Sequence, residues 1–284
     1  MPANETLNRV AVALVGIPVA LAAIYLGGWV LAALLAAAAA LTAHEIFRMA
    51  ARKGPRPLAA LGVAGAAAIV AAAAIDPAAG LANPLPAAML VALVLVAATA
   101  AIWLRGVEGE PLLAVAVTAF GAGYAALLGF GLLLRHLPEI VDPWHGGAIL
   151  LAPVLLTWVS DTSAYFGGRL FGRRKLIPRV SPGKTMAGAV CAVLGTVVGG
   201  AAYTLVLGRF PAYQPGLAEG ALFGLLVSVI AQVGDLAESL FKRDVGVKDS
   251  GTVFSGHGGA FDRFDSLLFT LPLGYAFFRF VVGA

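Results

Sequence analysis

Apolar stretches of about twenty residues recur along almost the whole of this 284-residue chain, and about twenty helical residues is what the hydrocarbon core of a bilayer requires. None of these stretches is followed by a large polar domain. The residues are 60% hydrophobic and 12% charged, with a mean hydropathy of +0.92, whereas soluble domains carry a charged fraction of about 25%. The expected fold is therefore an all-α polytopic membrane protein, 1–284 forming a single membrane-embedded domain.

Nine helices are expected, roughly over 10–26, 28–49, 57–75, 87–104, 112–135, 147–168, 185–207, 218–242 and 261–282. Turn-forming residues lie at the joints: Gly27-Gly28, Gly54-Pro55, Asn83-Pro84, Pro138, Pro178, Pro211 and Pro215. The first run lacks a processing site ahead of a soluble domain, so it reads as a retained helix. With the amino terminus cytoplasmic, all but Arg135, Arg209 and Arg279 of the 19 lysines and arginines fall on inner segments, as the positive-inside rule requires. This orientation places the long basic loops in the cytoplasm, and the expected location is as an integral protein of a bacterial cytoplasmic membrane. Those cations mark topology and lipid phosphate equally well, so nucleic acid is not an expected partner. The single Cys191 excludes an intrachain disulfide and a cysteine metal cluster; it reads as a small buried apolar residue.

The first half, 1–140, is dominated by Ala, Leu and Val and reads as helical scaffold, with small residues such as Ala36 to Ala40 allowing close helix approach. His44 and Glu45, followed by Arg48, are the exception there: snorkelling or a local ion pair explains them, and a role in the site is the other reading. The chemistry gathers in 147–284. Asp161, Asp235, Glu238, Asp262 and Asp265 lie in or at the ends of the last four apolar segments, where an ionised carboxylate needs a partner or a task. On a helix, Asp235, Glu238, Ser239 and Lys242 share one face, and Asp262, Asp265 and Ser266 repeat the arrangement. Oxygen ligands of this kind suit Mg2+, although pairing with Lys242, Arg243 and Arg263 would account for the same spacing.

Two loops favour phosphate. Arg173-Arg174-Lys175, Arg179 and Ser181-Pro182-Gly183-Lys184-Thr185 set cations, hydroxyls and backbone donors before a helix. Gly183-Lys184-Thr185 is not a Walker A ending, because Pro178 stands where that motif needs glycine. The second loop runs from Lys248-Asp249-Ser250-Gly251 to His257-Gly258-Gly259, beside Asp262 and Asp265, and its glycines permit close approach of backbone to phosphate. His257 is assigned to substrate phosphate.

Ser239-Leu240-Phe241-Lys242-Arg243, Lys248-Asp249-Ser250-Gly251 and His257-Gly258-Gly259-Ala260-Phe261-Asp262-Arg263-Phe264-Asp265 together resemble, over 27 residues, the signature of phosphatidate cytidylyltransferases, or CDP-diacylglycerol synthases. Asp161-Thr162-Ser163-Ala164-Tyr165, Lys175-Leu176-Ile177-Pro178, Ser181 to Thr185 and Gln232-Val233-Gly234-Asp235-Leu236 are similar to that family too. Ser255 departs from its usual proline, and Met186-Ala187 from its usual aromatic and polar pair. The resemblance implies transfer of a cytidylyl group from CTP to phosphatidic acid, Mg2+ dependence, a site in the carboxyl-terminal helices and an assembly often described as a dimer.

On that resemblance Asp235 and Asp262 are expected to hold Mg2+, with Asp265 and Asp161 completing a second cation site or supporting the first. Asp235, Asp262, Asp265 and Lys248 are the expected catalytic residues. Ser181, Lys184, Ser239, Lys242, Arg243, His257 and Arg263 are the expected substrate contacts. The competing readings are a transferase for another lipid phosphate, a cation-coupled transporter and an inert anchor.

Overall fold

The computed structural model describes residues 3–251 and 258–283, the side chains of 3–13 and 15 excepted. The helices are α1 Ala3–Leu26, α2 Gly28–Ala50, α3 Ala59–Ala73, α4 Leu85–Leu104, α5 Pro111–Ala125, α6 Phe130–Arg135, α7 Pro143–Phe171, α8 Met186–Leu207, α9 Leu217–Asp244, α10 Phe261–Phe264 and α11 Leu267–Phe277. Among the described residues, seven helical segments are long and apolar enough to cross a membrane. The chain is an integral membrane protein. α3, with 15 residues, rises only about 22 Å and falls short of the ~30 Å hydrocarbon core; of α1, Gly16–Leu26 counts as a shorter apolar helix.

Many alanines are buried between helices, and many large apolar side chains face outward. Ala39, Ala66, Ala97, Ala114, Ala122 and Ala192 are fully buried, whereas Leu95, Trp103, Leu194 and Val198 are each more than 60% exposed. Lipid accepts those large side chains, and the small ones let helices close on one another.

The chain divides into two compact units, Met1–Leu133 with Asp244–Phe264, and Leu134–Arg243 with Asp265–Ala284. In the first, α2 packs on α3 and α5, α3 on α4, and α10 on α2. Phe47 of α2 fills the space that a Cβ at Gly62 or Gly121 would need. In the second, α7 packs along α8 and against α11. A Cβ at Gly188 would lie 2.7 Å from the Ala164 carbonyl, and Cys191, half-buried rather than fully buried, packs against Gly167.

Three expectations need correction. The fold is all-helical as expected apart from a short two-stranded antiparallel hairpin that was not anticipated, β1 Lys175–Ile177 and β2 Ser181–Thr185, with Lys175 opposite Thr185 and Ile177 opposite Ser181. The helix expected over 112–135 tightens into a 3-10 turn at Ala126–Gly129. The helix expected over 261–282 is broken between α10 and α11, because the Asp265 carboxylate takes the Ser266 N–H (2.6 Å) and Ser266 Oγ donates to the Ala231 carbonyl (3.2 Å). Asp262 and Asp265 therefore do not lie along one helix face.

Candidate active site

Asp235, Glu238, Ser239 and Lys242 do share a face of α9, as their spacing requires. Gly234 brings this face close to the break between α10 and α11: a Cβ there would stand 2.8 Å from the Asp265 carbonyl and 2.9 Å from the Phe269 ring. One carboxylate oxygen from each of Asp235, Glu238 and Asp265 consequently lies within 4.8 Å of the other two, a donor set able to hold a metal ion. Two ammonium groups meet this cluster. Lys184 Nζ is 2.6 Å from Asp235 and Lys242 Nζ is 2.6 Å from Glu238; Ser239 Oγ donates to Asp235 at 3.4 Å.

Lys184 belongs to the hairpin. Arg174 closes its base by accepting from the Met186 N–H at 2.9 Å, and Thr185 Oγ1 caps α8 by accepting from the Gly188 N–H at 3.1 Å. The Arg243 side chain reaches the turn, donating from Nε to the Val180 carbonyl at 3.4 Å. The hairpin, α7, α8 and α9 line a cavity of about 620 Å³ that includes Asp161, Arg169, Ser181, Gly183, Lys184 and Asp235. Nothing stands within 4 Å of where a Cβ at Gly183 would be, so the hairpin backbone is open to a ligand. Acids, ammonium groups, hydroxyls and open backbone thus converge on one concavity, which suits a polyphosphate with a divalent cation.

Of the expected residues, Asp161, Ser181, Lys184, Ser239, Lys242, Arg243, Asp235 and Asp265 all belong to the second unit. Asp161 lines the cavity but is not one of the three clustered acids. Glu238, singled out by spacing yet not placed among the ligands, is one of them.

Lys248, Asp262 and Arg263 belong to the first unit. Asp262 Oδ2 accepts from the Ser250 N–H (3.0 Å), the Ser250 hydroxyl (3.0 Å) and the Gly259 N–H (2.7 Å). Arg263 is exposed. Lys248 stands beside Arg48 and Arg52. His257 lies outside the described residues.

Sequence reasoning undervalued Glu45. It is 1% exposed, neither snorkelling nor paired with a neighbouring cation among the described residues. It accepts from Ser250 Oγ (2.7 Å), the Ala260 N–H (2.9 Å) and the Phe261 N–H (2.9 Å). The available signal was an acid one turn before Arg48 in an otherwise apolar helix.

The chain is 41% identical over 149 residues to a phosphatidate cytidylyltransferase of Haemophilus influenzae, covering 50% of this chain and 49% of that one. It is 42% identical over 138 residues to the uncharacterized protein YnbB of Escherichia coli (48% and 44%). It is 43% identical over 124 residues to a phosphatidate cytidylyltransferase of Staphylococcus saprophyticus (44% and 46%). In each case the chain spans about half the length of the curated relative it matches. A model of the cytidylyltransferase family matches residues 7–281, nearly the full length, and the chain therefore belongs to the cytidylyltransferase family.

Proposed function

We propose that this protein transfers the cytidylyl group of CTP to phosphatidic acid, releasing pyrophosphate and forming CDP-diacylglycerol for membrane phospholipid synthesis. The observation that carries the reading is the meeting of Asp235, Glu238, Asp265 and Lys184 beside the cavity walled by the Ser181–Thr185 hairpin strand. The family match and the names of the relatives from Haemophilus influenzae and Staphylococcus saprophyticus support it.

The donor set fits Mg2+: three carboxylates supply hard oxygen ligands, and the two lysines now against them show that the cluster attracts positive charge. Asp235, Glu238 and Asp265 would hold the ion, with Asp161 near enough in the cavity wall to orient its waters or a second cation. When bound, Mg2+ supplies charge neutralisation at phosphate oxygens, which an anionic nucleophile attacking an anionic phosphate requires.

The chain's own groups do the rest. Ser181, Lys184 and the open backbone at Gly183 bind the polyphosphate; Lys184 and Lys242, released from Asp235 and Glu238, offset charge on the leaving pyrophosphate. Arg243 fixes the hairpin turn, and Ser239 orients Asp235. In the first unit, Asp262 holds Ser250 and Gly259, and Lys248, Arg263 and His257 serve phosphate binding. A phosphatidic acid oxygen forms the new bond to the α-phosphorus, while the bond from that phosphorus to the bridging oxygen breaks and its electrons leave with pyrophosphate. Phosphate monoesters have a second pKa of ~6, so the nucleophile is already ionised near neutral pH and no protein base is needed.

The same reading takes nine membrane crossings of a bacterial cytoplasmic membrane, the amino terminus and the site facing the cytoplasm, and a homodimer as the working assembly. The skewed placement of basic residues supports the orientation.

The test is transfer of label from α-labelled CTP into chloroform-soluble lipid by the purified chain with phosphatidic acid. Labelling that needs both Mg2+ and phosphatidic acid is the expected result. Its absence from well-folded protein, across several lipid phosphates, would overturn the reading.

A further inference from the structure

The first unit contains a second cavity, of about 380 Å³, between the end of α2 and the segment that follows α9. It is lined by Arg48, Arg52, Lys248, Asp249, Ser250 and Gly251, among others. Among the described residues, none of the three cations makes an ion pair or a side-chain hydrogen bond, whereas the neighbouring Lys53 is tied to Asp244. Three cations face one carboxylate, so the lining carries net positive charge.

Its wall is rigidly built. Glu45, one turn before Arg48 and on the same helix, is buried and holds Ser250 Oγ and the backbone N–H groups of Ala260 and Phe261 at 2.7–2.9 Å. Asp262 holds the Ser250 and Gly259 N–H groups. A Cβ at Gly251 would run into Glu45 Oε1, and one at Gly259 into Glu45 Oε2 and Ser250 Oγ, so Gly251 and Gly259 rest directly on Glu45. A single helix therefore supplies both the acceptor that anchors the loop and the guanidinium groups that share a cavity with it.

We propose that this cavity is a binding site for a phosphate-bearing anion, with Arg48, Arg52 and Lys248 as its contacts and Glu45 as the positioning residue that sets the loop against them. Guanidinium groups match phosphate by paired hydrogen bonds, and an ammonium group adds a point charge. A phosphate monoester head group of a lipid and free pyrophosphate share the chemistry required. Naming these two sources rests on the transfer reaction proposed above; anion binding itself does not.

The experiment is calorimetric titration of the purified full chain in detergent, without divalent cations, using inorganic pyrophosphate in one arm and a short-chain, water-soluble phosphatidic acid in the other. The double variant Arg48→Gln with Arg52→Gln is expected to weaken binding at least about tenfold in the arm whose anion the cavity takes, or in both. Lys248→Gln should act in the same direction. Both arginines are exposed, so the fold should survive; if the double variant fails to unfold cooperatively, Lys248→Gln decides. Asp235→Asn should lose cytidylyl transfer and keep anion binding. Affinity for both anions unchanged in the arginine and lysine variants, or no binding of either by the unaltered chain, would overturn the proposal. Arginine-dependent binding without any transfer would sink the enzymatic reading and leave this one standing.

Discussion

In the first unit the carboxylates of Glu45 and Asp262 are met mostly by backbone N–H groups, whereas in the second unit those of Asp235 and Glu238 are met by the ammonium groups of Lys184 and Lys242. Backbone donors are fixed by the path of the chain. They cannot turn aside for a ligand, and removing their acceptor strands them in a buried place. A lysine ends a flexible stem and can withdraw when a cation or a phosphate arrives. Acids of one chemical type thus hold fixed backbone donors in one unit and movable ammonium groups in the other, and the nature of the donor tells them apart. The Ser250 hydroxyl, a side-chain donor with a single proton, adds to these backbone donors, lying 2.7 Å from Glu45 and 3.0 Å from Asp262.

The comparison breaks most sharply if Asp235→Asn is tolerated. Removing a charge from the proposed cation site should lower the proposed cytidylyl transfer about a thousandfold, corresponding to ~4 kcal/mol of transition-state stabilisation, with little change in thermal unfolding; steady-state kinetics beside a melting curve checks both. Glu45→Ala should behave in the opposite sense. It leaves the two buried N–H groups of Ala260 and Phe261 without their acceptor, so stability should fall by about 3 kcal/mol, read as a lower unfolding midpoint in detergent even when no substrate is present. An unchanged midpoint would show that Glu45 is not structural.

Gly259→Ala sharpens the same point without removing any charge. The added methyl group meets Glu45 and Ser250, and overpacking of this kind costs about 1–3 kcal/mol; the loss should shrink when combined with Glu45→Ala, since the two share one contact. The smallest effect concerns the metal. Millimolar Mg2+ should raise the melting temperature of the unaltered chain by a few degrees, equivalent to about 1–2 kcal/mol, and should do so for Glu45→Gln but not for Asp235→Asn. Equal shifts in all three proteins would move the cation away from the Asp235, Glu238 and Asp265 cluster.

Much of this was legible in the residues. Apolar runs and turn residues located most helices to within a few positions, the start of α1 and the broken last helix excepted, since Gly27 and Gly54, at positive φ, break the chain where a side chain is disfavoured. Helical spacing alone put Asp235, Glu238 and Lys242 together. The site was less legible where the chain leaves helical periodicity. Asp262 and Asp265 are three residues apart, which on an unbroken helix means one face; the Asp265–Ser266 break assigns them to different units. The hairpin was missed because Lys175-Leu176-Ile177 and Ser181 to Thr185 are short, charged and proline-containing, without the alternation that announces a strand.

By itself, then, the sequence determined that this chain lives in a membrane, where its helices run and which half carries acids and cations, because hydropathy and i, i+3, i+4 spacing are local properties that survive any arrangement of helices. Only the tertiary structure decided which acids meet. Glu45 finds its donors more than 200 residues away, and Asp235 finds Asp265 because Gly234 lacks a side chain where the next segment passes. Such meetings depend on packing between distant segments, and no local pattern encodes them.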